Sequence, residues 1–167
     1  MRRGFLATLL VLTVLFSDAG AVLDEDIDED YEQMVELTEA RDMSADGKLS
    51  RKDGMPILLL VSQLTCPYCE QIKREILHPM VVAGDYRGEL LIRELYMDTH
   101  GRIRDFRGRY VDNSQFAHGY GVYLTPTLLF LGPDGRELTE RMVGINTPEF
   151  YFYYVDQAIQ SAIAALK

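Results

Sequence analysis

Tryptophan is absent from the 167 residues, and only two cysteines, three histidines and six prolines are present. Two cysteines are too few to staple a disulfide-rich scaffold. None of the histidines, His78, His100 and His118, stands at a ligand spacing from them, which argues against a metal site built from both. Basic charge is also scarce. Seventeen Lys and Arg face 26 Asp and Glu, for a formal charge of −9, and no nucleic-acid partner is expected. A Gly-rich phosphate loop, a serine triad and a paired-carboxylate site are all missing, as are internal repeats and Gly/Ser linkers. The run of residues 5–16 is twelve long, short of the roughly 20 apolar residues a spanning helix needs. What remains, 47% hydrophobic and 26% charged, suits one domain with a true core and excludes disorder, collagen or coiled coil as the main state.

The amino terminus reads as an address. Arg2 and Arg3 precede the apolar run, and Ala19-Gly20-Ala21 follows it as a small-x-small cleavage site, so residues 1–21 are expected to be a cleaved secretory signal. No cysteine follows the run, which argues against a lipid anchor. The signal implies a periplasmic or secreted protein in an oxidising compartment. Residues 24–46 then carry eleven acids and one base, Arg41. Ile27, Tyr31, Met34, Val35 and Thr38 share one face, which predicts an acidic helix over about 28–42 with a solvated outer face. Residues 22–54 are expected to form this helix and a polar loop.

Within that loop, residues 42–53 place oxygen side chains at Asp42, Ser44, Asp46, Ser50 and Asp53, with Gly47 at the sixth position. The spacing follows a calcium-binding loop. Against it, the twelfth position is Asp rather than the longer Glu, and Gly54 and Pro56 prevent an exit helix. A polar surface turn fits the same residues.

Residues 56–61, Pro-Ile-Leu-Leu-Leu-Val, predict a strand buried on both faces. A helix over about 67–77 follows, ending before Pro79, with Cys69, Ile72 and Ile76 on one side. Residues 90–97 predict a second strand, parallel to the first through a right-handed crossover. Residues 98–120 read as an irregular polar loop. Its arginines (102, 104, 107 and 109) are either solvated or an anion- or partner-docking patch. A third strand is expected over 127–131, a hairpin turn at Gly132-Pro133-Asp134-Gly135 and a fourth strand over 137–143. A last helix opens at Thr147 as N-cap with Pro148 in its first turn. Val155, Ile159, Ala162, Ile163 and Leu166 make its buried stripe, and the aromatics of 150–154 read as core and rim.

The two cysteines, Cys66-Pro67-Tyr68-Cys69, stand between the first strand and its helix. There Cys66 would be the N-cap, where unpaired N–H groups and the positive end of the helix dipole favour a thiolate. Cys69, one turn later, would be sheltered. Attack by Cys66 on a substrate disulfide and resolution by Cys69 is the chemistry this suggests. A purely structural disulfide would close too short a loop to stabilise much.

Over residues 55–166 the chain resembles the thioredoxin superfamily. The motifs are Cys66-Pro67-Tyr68-Cys69, Tyr120-Gly121-Val122-Tyr123-Leu124-Thr125-Pro126-Thr127-Leu128, Gly132-Pro133-Asp134-Gly135 and Val143-Gly144. Within that superfamily it is similar to exported, SoxW-like thioredoxin-related proteins. The active-site motif is also like that of DsbG, DsbC and the glutaredoxins, although DsbG and DsbC carry a dimerisation domain for which this chain has no room. The resemblance implies an α/β thioredoxin fold at 55–167, a central mixed four-stranded sheet flanked by helices, with the acidic helix as an addition. It implies a cis Pro126 beside the active-site disulfide, and a Thr125 backbone that pairs with an extended substrate; Pro67 and Tyr68 complete the substrate surface. No cofactor beyond the Cys66–Cys69 couple is implied.

Two departures stand out. Cytosolic thioredoxins hold a buried Asp six residues before the first cysteine, where this chain has Leu60, and a Trp directly before it, where it has Thr65. Glu94 on the neighbouring strand is the candidate replacement for the acid; the plain alternative is an outward-facing glutamate. The expected activity is thiol–disulfide exchange on a disulfide-containing protein, most simply reduction supported by a membrane electron donor. The alternatives are an oxidant or isomerase coupled to a membrane acceptor, and a non-enzymatic copper or calcium chaperone on this fold.

Overall fold

The structure, a computed structural model, describes residues 36–167. The secretory signal and residues 28–35 of the expected acidic helix lie outside the described residues.

Strand β1 (Ile57–Ser62) is buried at every position, as an apolar run must be when both faces of its sheet are covered. It pairs in parallel with β2 (Leu91–Tyr96) and antiparallel with β5 (Thr127–Leu131). A short β6 (Met142–Val143) completes the order β2-β1-β5-β6. Side chains of β1 alternate between two cores. Leu58 and Leu60 join Ile72, Ile76, Phe130, Val155 and Ile159 on one side. Ile57, Leu59 and Val61 join Met43, Leu95, Ile103 and Leu129 on the other. Each such fully buried side chain contributes about 1.5–3 kcal/mol of transfer free energy.

The connection from β1 to β2 is helical for longer than expected. After α2 (Pro67–Ile72) the chain makes a π-helical turn (Lys73–Leu77) and continues as α3 (His78–Ala83). Pro79 does not end the helix. It falls in the first turn of α3, directly after a turn in which the His78 N–H reaches back to the Lys73 carbonyl. The wider turn provides a place where a residue without an N–H is tolerated.

Residues 36–42 are extended, not helical, which corrects the carboxyl-terminal half of the expected acidic helix. The Glu94 N–H donates to the Thr38 carbonyl at 3.0 Å and the Ala40 N–H to the Glu94 carbonyl at 2.7 Å. Pairing with the open edge of β2 satisfies backbone groups of both segments, and this outweighs a weak helical periodicity.

The calcium-loop reading of Asp42, Ser44, Asp46 and Asp53, and the surface-turn reading with it, give way to helix α1 (Met43–Asp53). Asp42 is its N-cap, accepting from the Ala45 N–H at 2.9 Å, and Asp46 forms a two-pronged pair with Arg93 at 2.7 and 2.9 Å. Helical geometry strings these side chains along the axis instead of around one centre, with about 10 Å of rise between Asp46 and Asp53, and Asp42 and Asp46 are taken up by protein partners. Among the described residues no group of three or more His, Cys, Asp or Glu is placed to hold a metal ion. Gly47 lets α1 approach the 132–135 turn, because a Cβ there would lie 2.5 Å from the Pro133 carbonyl oxygen.

The 98–120 stretch contains β3 (Arg102–Arg104), β4 (Tyr110–Asp112) and α4 (Asn113–Gly119). The expected fourth strand is interrupted: Glu137 bridges Leu131, the Leu138 N–H donates to the Phe130 carbonyl at 2.8 Å, and regular pairing resumes only at Met142–Val143. Arg141 folds back onto Glu137 and the Tyr120 carbonyl, so the chain between arches off the edge of β5. Thr147 does not cap the last helix. It has a positive φ of 52°, and its hydroxyl donates to the Asn146 carbonyl. A 3₁₀ turn (Pro148–Phe150) leads into α5 (Tyr151–Ala164), whose Val155, Ile159, Ala162 and Ile163 are buried.

Candidate active site

The cysteines lie where β1 hands the chain to α2. Cys66 has extended dihedrals (φ −121°, ψ 97°) and is the N-cap; its Sγ accepts from the Cys69 N–H at 3.2 Å. Its carbonyl accepts from the N–H groups of Cys69 and Glu70 at 3.0 and 3.1 Å. Pro67 occupies the first turn, where no N–H is needed. Cys66 and Cys69 are joined in a disulfide with Cα atoms 5.2 Å apart. Cys66 keeps 8% of its surface exposed and Cys69 none, so in the oxidised form the first sulfur is the accessible one, through a small opening. Reduction of Cys66 would leave a sulfur already accepting a hydrogen bond at a helix amino terminus, an arrangement that favours a thiolate.

Two ties hold the approach to Cys66. The Leu64 N–H donates to both carboxylate oxygens of Asp98 at 3.1 and 3.2 Å, and the Thr125 hydroxyl donates to Gln63 Oε1 at 2.8 Å. The second tie links the cysteine loop to the Thr125–Pro126 peptide bond, which is cis. The Pro126 carbonyl accepts from the Gly144 N–H at 2.8 Å. Leu64, Tyr123 and Leu124 on these loops and Tyr68 in the first turn of α2 are exposed side chains with large apolar surface. Gln63 and Asp98 escaped sequence reasoning, because nothing in their local pattern distinguishes them from ordinary loop residues.

Glu94 is 2% exposed, so it is not an outward-facing glutamate. The parallel register sets it across from Leu60 and sets Tyr96 across from Ser62. Since Leu60 belongs to the core that includes Ile72 of α2, Glu94 lies on the face of the sheet covered by the cysteine-bearing helix. The Ser62 hydroxyl donates to Glu94 Oε1 at 2.7 Å, and Lys73 Nζ lies 3.3 Å from the same oxygen. Lys73 also meets Glu70 at 2.6 Å and the Tyr96 hydroxyl at 3.3 Å. Burial alone would depress the Lys73 ammonium, but the bonds to Glu70 and Tyr96 and the charge of Glu94 outweigh it and hold its pKa above the ordinary lysine value. Burial, then the Glu94 charge, push Tyr96 up as well.

A larger groove, about 680 Å³, lies away from the cysteines and is lined by Phe106, Arg107, Arg109, Tyr120 and Arg136 among others. The arginine cluster of 98–120 is mostly committed internally: Arg109 pairs with Asp105 at 2.7 Å, Arg104 with Asp42 at 3.4 Å and Arg102 with Asp112 at 3.9 Å.

Residues 43–159 match the family described as thioredoxin-like domain. No curated protein matches the chain. Among solved structures, the DsbH oxidoreductase is 20% identical, with 76% of this chain and 88% of that chain covered and a TM-score of 0.54. Mitochondrial thioredoxin 3 of Saccharomyces cerevisiae, in its oxidized form, is 15% identical over 74% of this chain and 93% of that one, with a TM-score of 0.50. A Fasciola hepatica thioredoxin is 19% identical over 74% and 97%, also at 0.50. At these identities the likeness speaks to the fold.

Proposed function

Because the chain belongs to the thioredoxin-like domain family, we propose that it is an exported thiol–disulfide oxidoreductase that reduces disulfides of protein substrates. The observation that carries this is the Cys66–Cys69 disulfide at the amino terminus of α2, with Cys66 the more accessible sulfur.

In the reduced protein, the Cys66 thiolate attacks one sulfur of the substrate disulfide. A bond forms between Cys66 and that sulfur, the substrate S–S bond breaks, and the other substrate sulfur leaves as a thiolate that takes up a proton. Cys69 then loses its proton to the Glu94 carboxylate and attacks Cys66 Sγ. The Cys66–Cys69 bond forms and the second substrate thiolate departs. Two electrons pass from the cysteine pair to the substrate. The exposed rim of Leu64, Tyr68, Tyr123 and Leu124 supports an apolar contact with the substrate, and the Thr125 backbone beside Pro126 offers strand-like pairing.

The next cycle requires a dithiol donor to re-reduce the pair. An oxidising compartment implies a donor fed across the membrane, and the Arg2-Arg3 and apolar pattern of residues 1–21 supports export to that compartment.

Trapping tests the scheme. Incubated with a disulfide-containing protein, the reduced Cys69→Ser variant accumulates a mixed disulfide through Cys66, and Cys66→Ser accumulates none. Undiminished exchange by Cys66→Ser would refute the assignment.

A further inference from the structure

Arg107 stands apart from the ion pairs that occupy Arg102, Arg104 and Arg109, and it lines the groove of about 680 Å³ together with Arg136. We propose that this groove docks an acidic segment of a partner protein, with Arg107 and Arg136 holding its carboxylates and an aromatic floor taking an apolar side chain between them. The proposal does not depend on the redox assignment.

The floor is built from three rings. Phe116 is buried, with the Phe106 ring centroid at 6.5 Å and that of Tyr120 at 5.3 Å. All three pack with the core of Leu59 and Leu129, whereas Ile72 of the cysteine-bearing helix belongs to the other core. The groove therefore opens on the sheet face away from α2. Two tight turns border it. In one, Asp105 accepts from the N–H groups of Arg107 and Arg109 at 2.9 and 2.8 Å and pairs with the Arg109 guanidinium at 2.7 Å. These bonds, the Arg109 N–H foremost, hold the Asp105 carboxyl below the usual aspartate range. In the other, the Gly132 N–H donates to the Arg136 carbonyl at 2.8 Å, and the Arg136 N–H donates to Asp134 at 3.1 Å. The turns meet where the Phe106 ring lies against Gly135, and a Cβ on Gly135 would stand 2.5 Å from that ring. Arg107 and Arg136 directly follow these two touching residues, so the contact delivers both to one groove.

Three arginines line the groove against two acids, Asp105 and Asp134. Asp105 is taken by Arg109, and Asp134 accepts from its own turn. Among the described residues, neither the Arg107 nor the Arg136 guanidinium has a carboxylate partner. A guanidinium fork matches a carboxylate with two parallel bonds, and the rings below offer apolar contact. The volume falls within the range of about 300–1,000 Å³ typical of ligand sites, and an open groove suits an extended segment. A long polyanion such as nucleic acid would meet the repulsion of the whole chain, formally −9, whereas a short acidic segment meets the local field of the arginines.

The test follows the anisotropy of a labelled, cysteine-free peptide, Glu-Glu-Phe-Glu-Glu, titrated with the full chain. Saturable binding is expected, weakened about tenfold or more by Arg107→Gln combined with Arg136→Gln. Arg51→Gln combined with Arg87→Gln removes the same charge from exposed positions outside the groove and should leave the affinity unchanged. A peptide with glutamine in place of glutamate should not bind, and one with glycine in place of phenylalanine should bind more weakly. Melting temperatures of both double variants are measured in parallel, and the single substitutions serve should the first pair fail to fold. No saturable binding to the wild type would overturn the proposal, as would equal weakening by the two pairs, which would mark general charge attraction. Displacement of the peptide by inorganic phosphate at the peptide's own concentration would make the groove a small-anion site. Self-association abolished by Arg107→Gln with Arg136→Gln would place a second copy there instead. Either result contradicts docking of an acidic segment.

Discussion

Glu94 lies across from Leu60 in the parallel pairing of β2 with β1. The buried acid of this site thus sits one strand over from the position six residues before Cys66, and an apolar residue occupies that position. The two side chains share a sheet face, so they occupy adjoining volume under α2.

Leu60→Asp would place a second buried carboxylate beside the first, with only Lys73 at hand to neutralise both. We expect a marked loss of thermal stability. Adding Glu94→Leu, which returns the count to one buried acid, recovers part of that loss. Additive effects in the double variant would show that the two positions do not share an environment.

The Lys73 ammonium has a raised pKa in the folded protein. A raised pKa contributes stability that is complete below the unfolded lysine value, about 10.4, and is lost as pH climbs through the higher native value. The difference in melting temperature between wild type and Lys73→Met should therefore persist at pH 9 and shrink above about 10.4. A difference that vanishes between pH 7 and 9 would show that the pair contributes no such linkage.

Tyr151 is buried, and its hydroxyl has no hydrogen-bond partner among the described residues. Burial pushes its pKa up to about 12. Removing an orphaned buried hydroxyl leaves the apolar ring in place, so Tyr151→Phe should stabilise by about 1 kcal/mol in denaturant titration. Because burial disfavours the phenolate, the native state also loses ground as pH rises above the unfolded tyrosine value of about 10. Tyr151→Phe should soften that alkaline loss.

Gly47→Ala tests the contact between α1 and the 132–135 turn. Alanine is the better helix former by about 1 kcal/mol, but its Cβ would stand 2.5 Å from the Pro133 carbonyl oxygen. Overpacking against backbone costs about 1–3 kcal/mol, so the variant should unfold at a lower temperature. A gain in stability would mean that the turn moves aside freely.

How legible these features were depends on how local their causes are. The strand through residues 57–61 and the one at 127–131 are apolar runs bounded by turn residues, and the cap at Cys66 follows from a buried strand ending just before Cys-Pro-x-Cys. These causes act within a few residues. Residues 36–42, by contrast, are extended because Glu94 presents an open strand edge 54 positions beyond Ala40. Likewise, no periodicity marks Lys73 as the partner of Glu94, since β2 brings the acid to it from a distant stretch of chain. The apparent calcium loop arose because Asp42 and Asp46 have two good uses: ligand spacing in a loop and capping or pairing on a helix. Arg93 and the packing of α1 decide between them.

Equilibration of the Cys66–Cys69 pair against glutathione buffers measures the proposed redox couple directly. A reversible two-electron couple near about −270 mV is the result expected of a reductase. A couple near about −120 mV would contradict it and make the protein a disulfide donor. The absence of any reversible couple would contradict thiol–disulfide exchange itself.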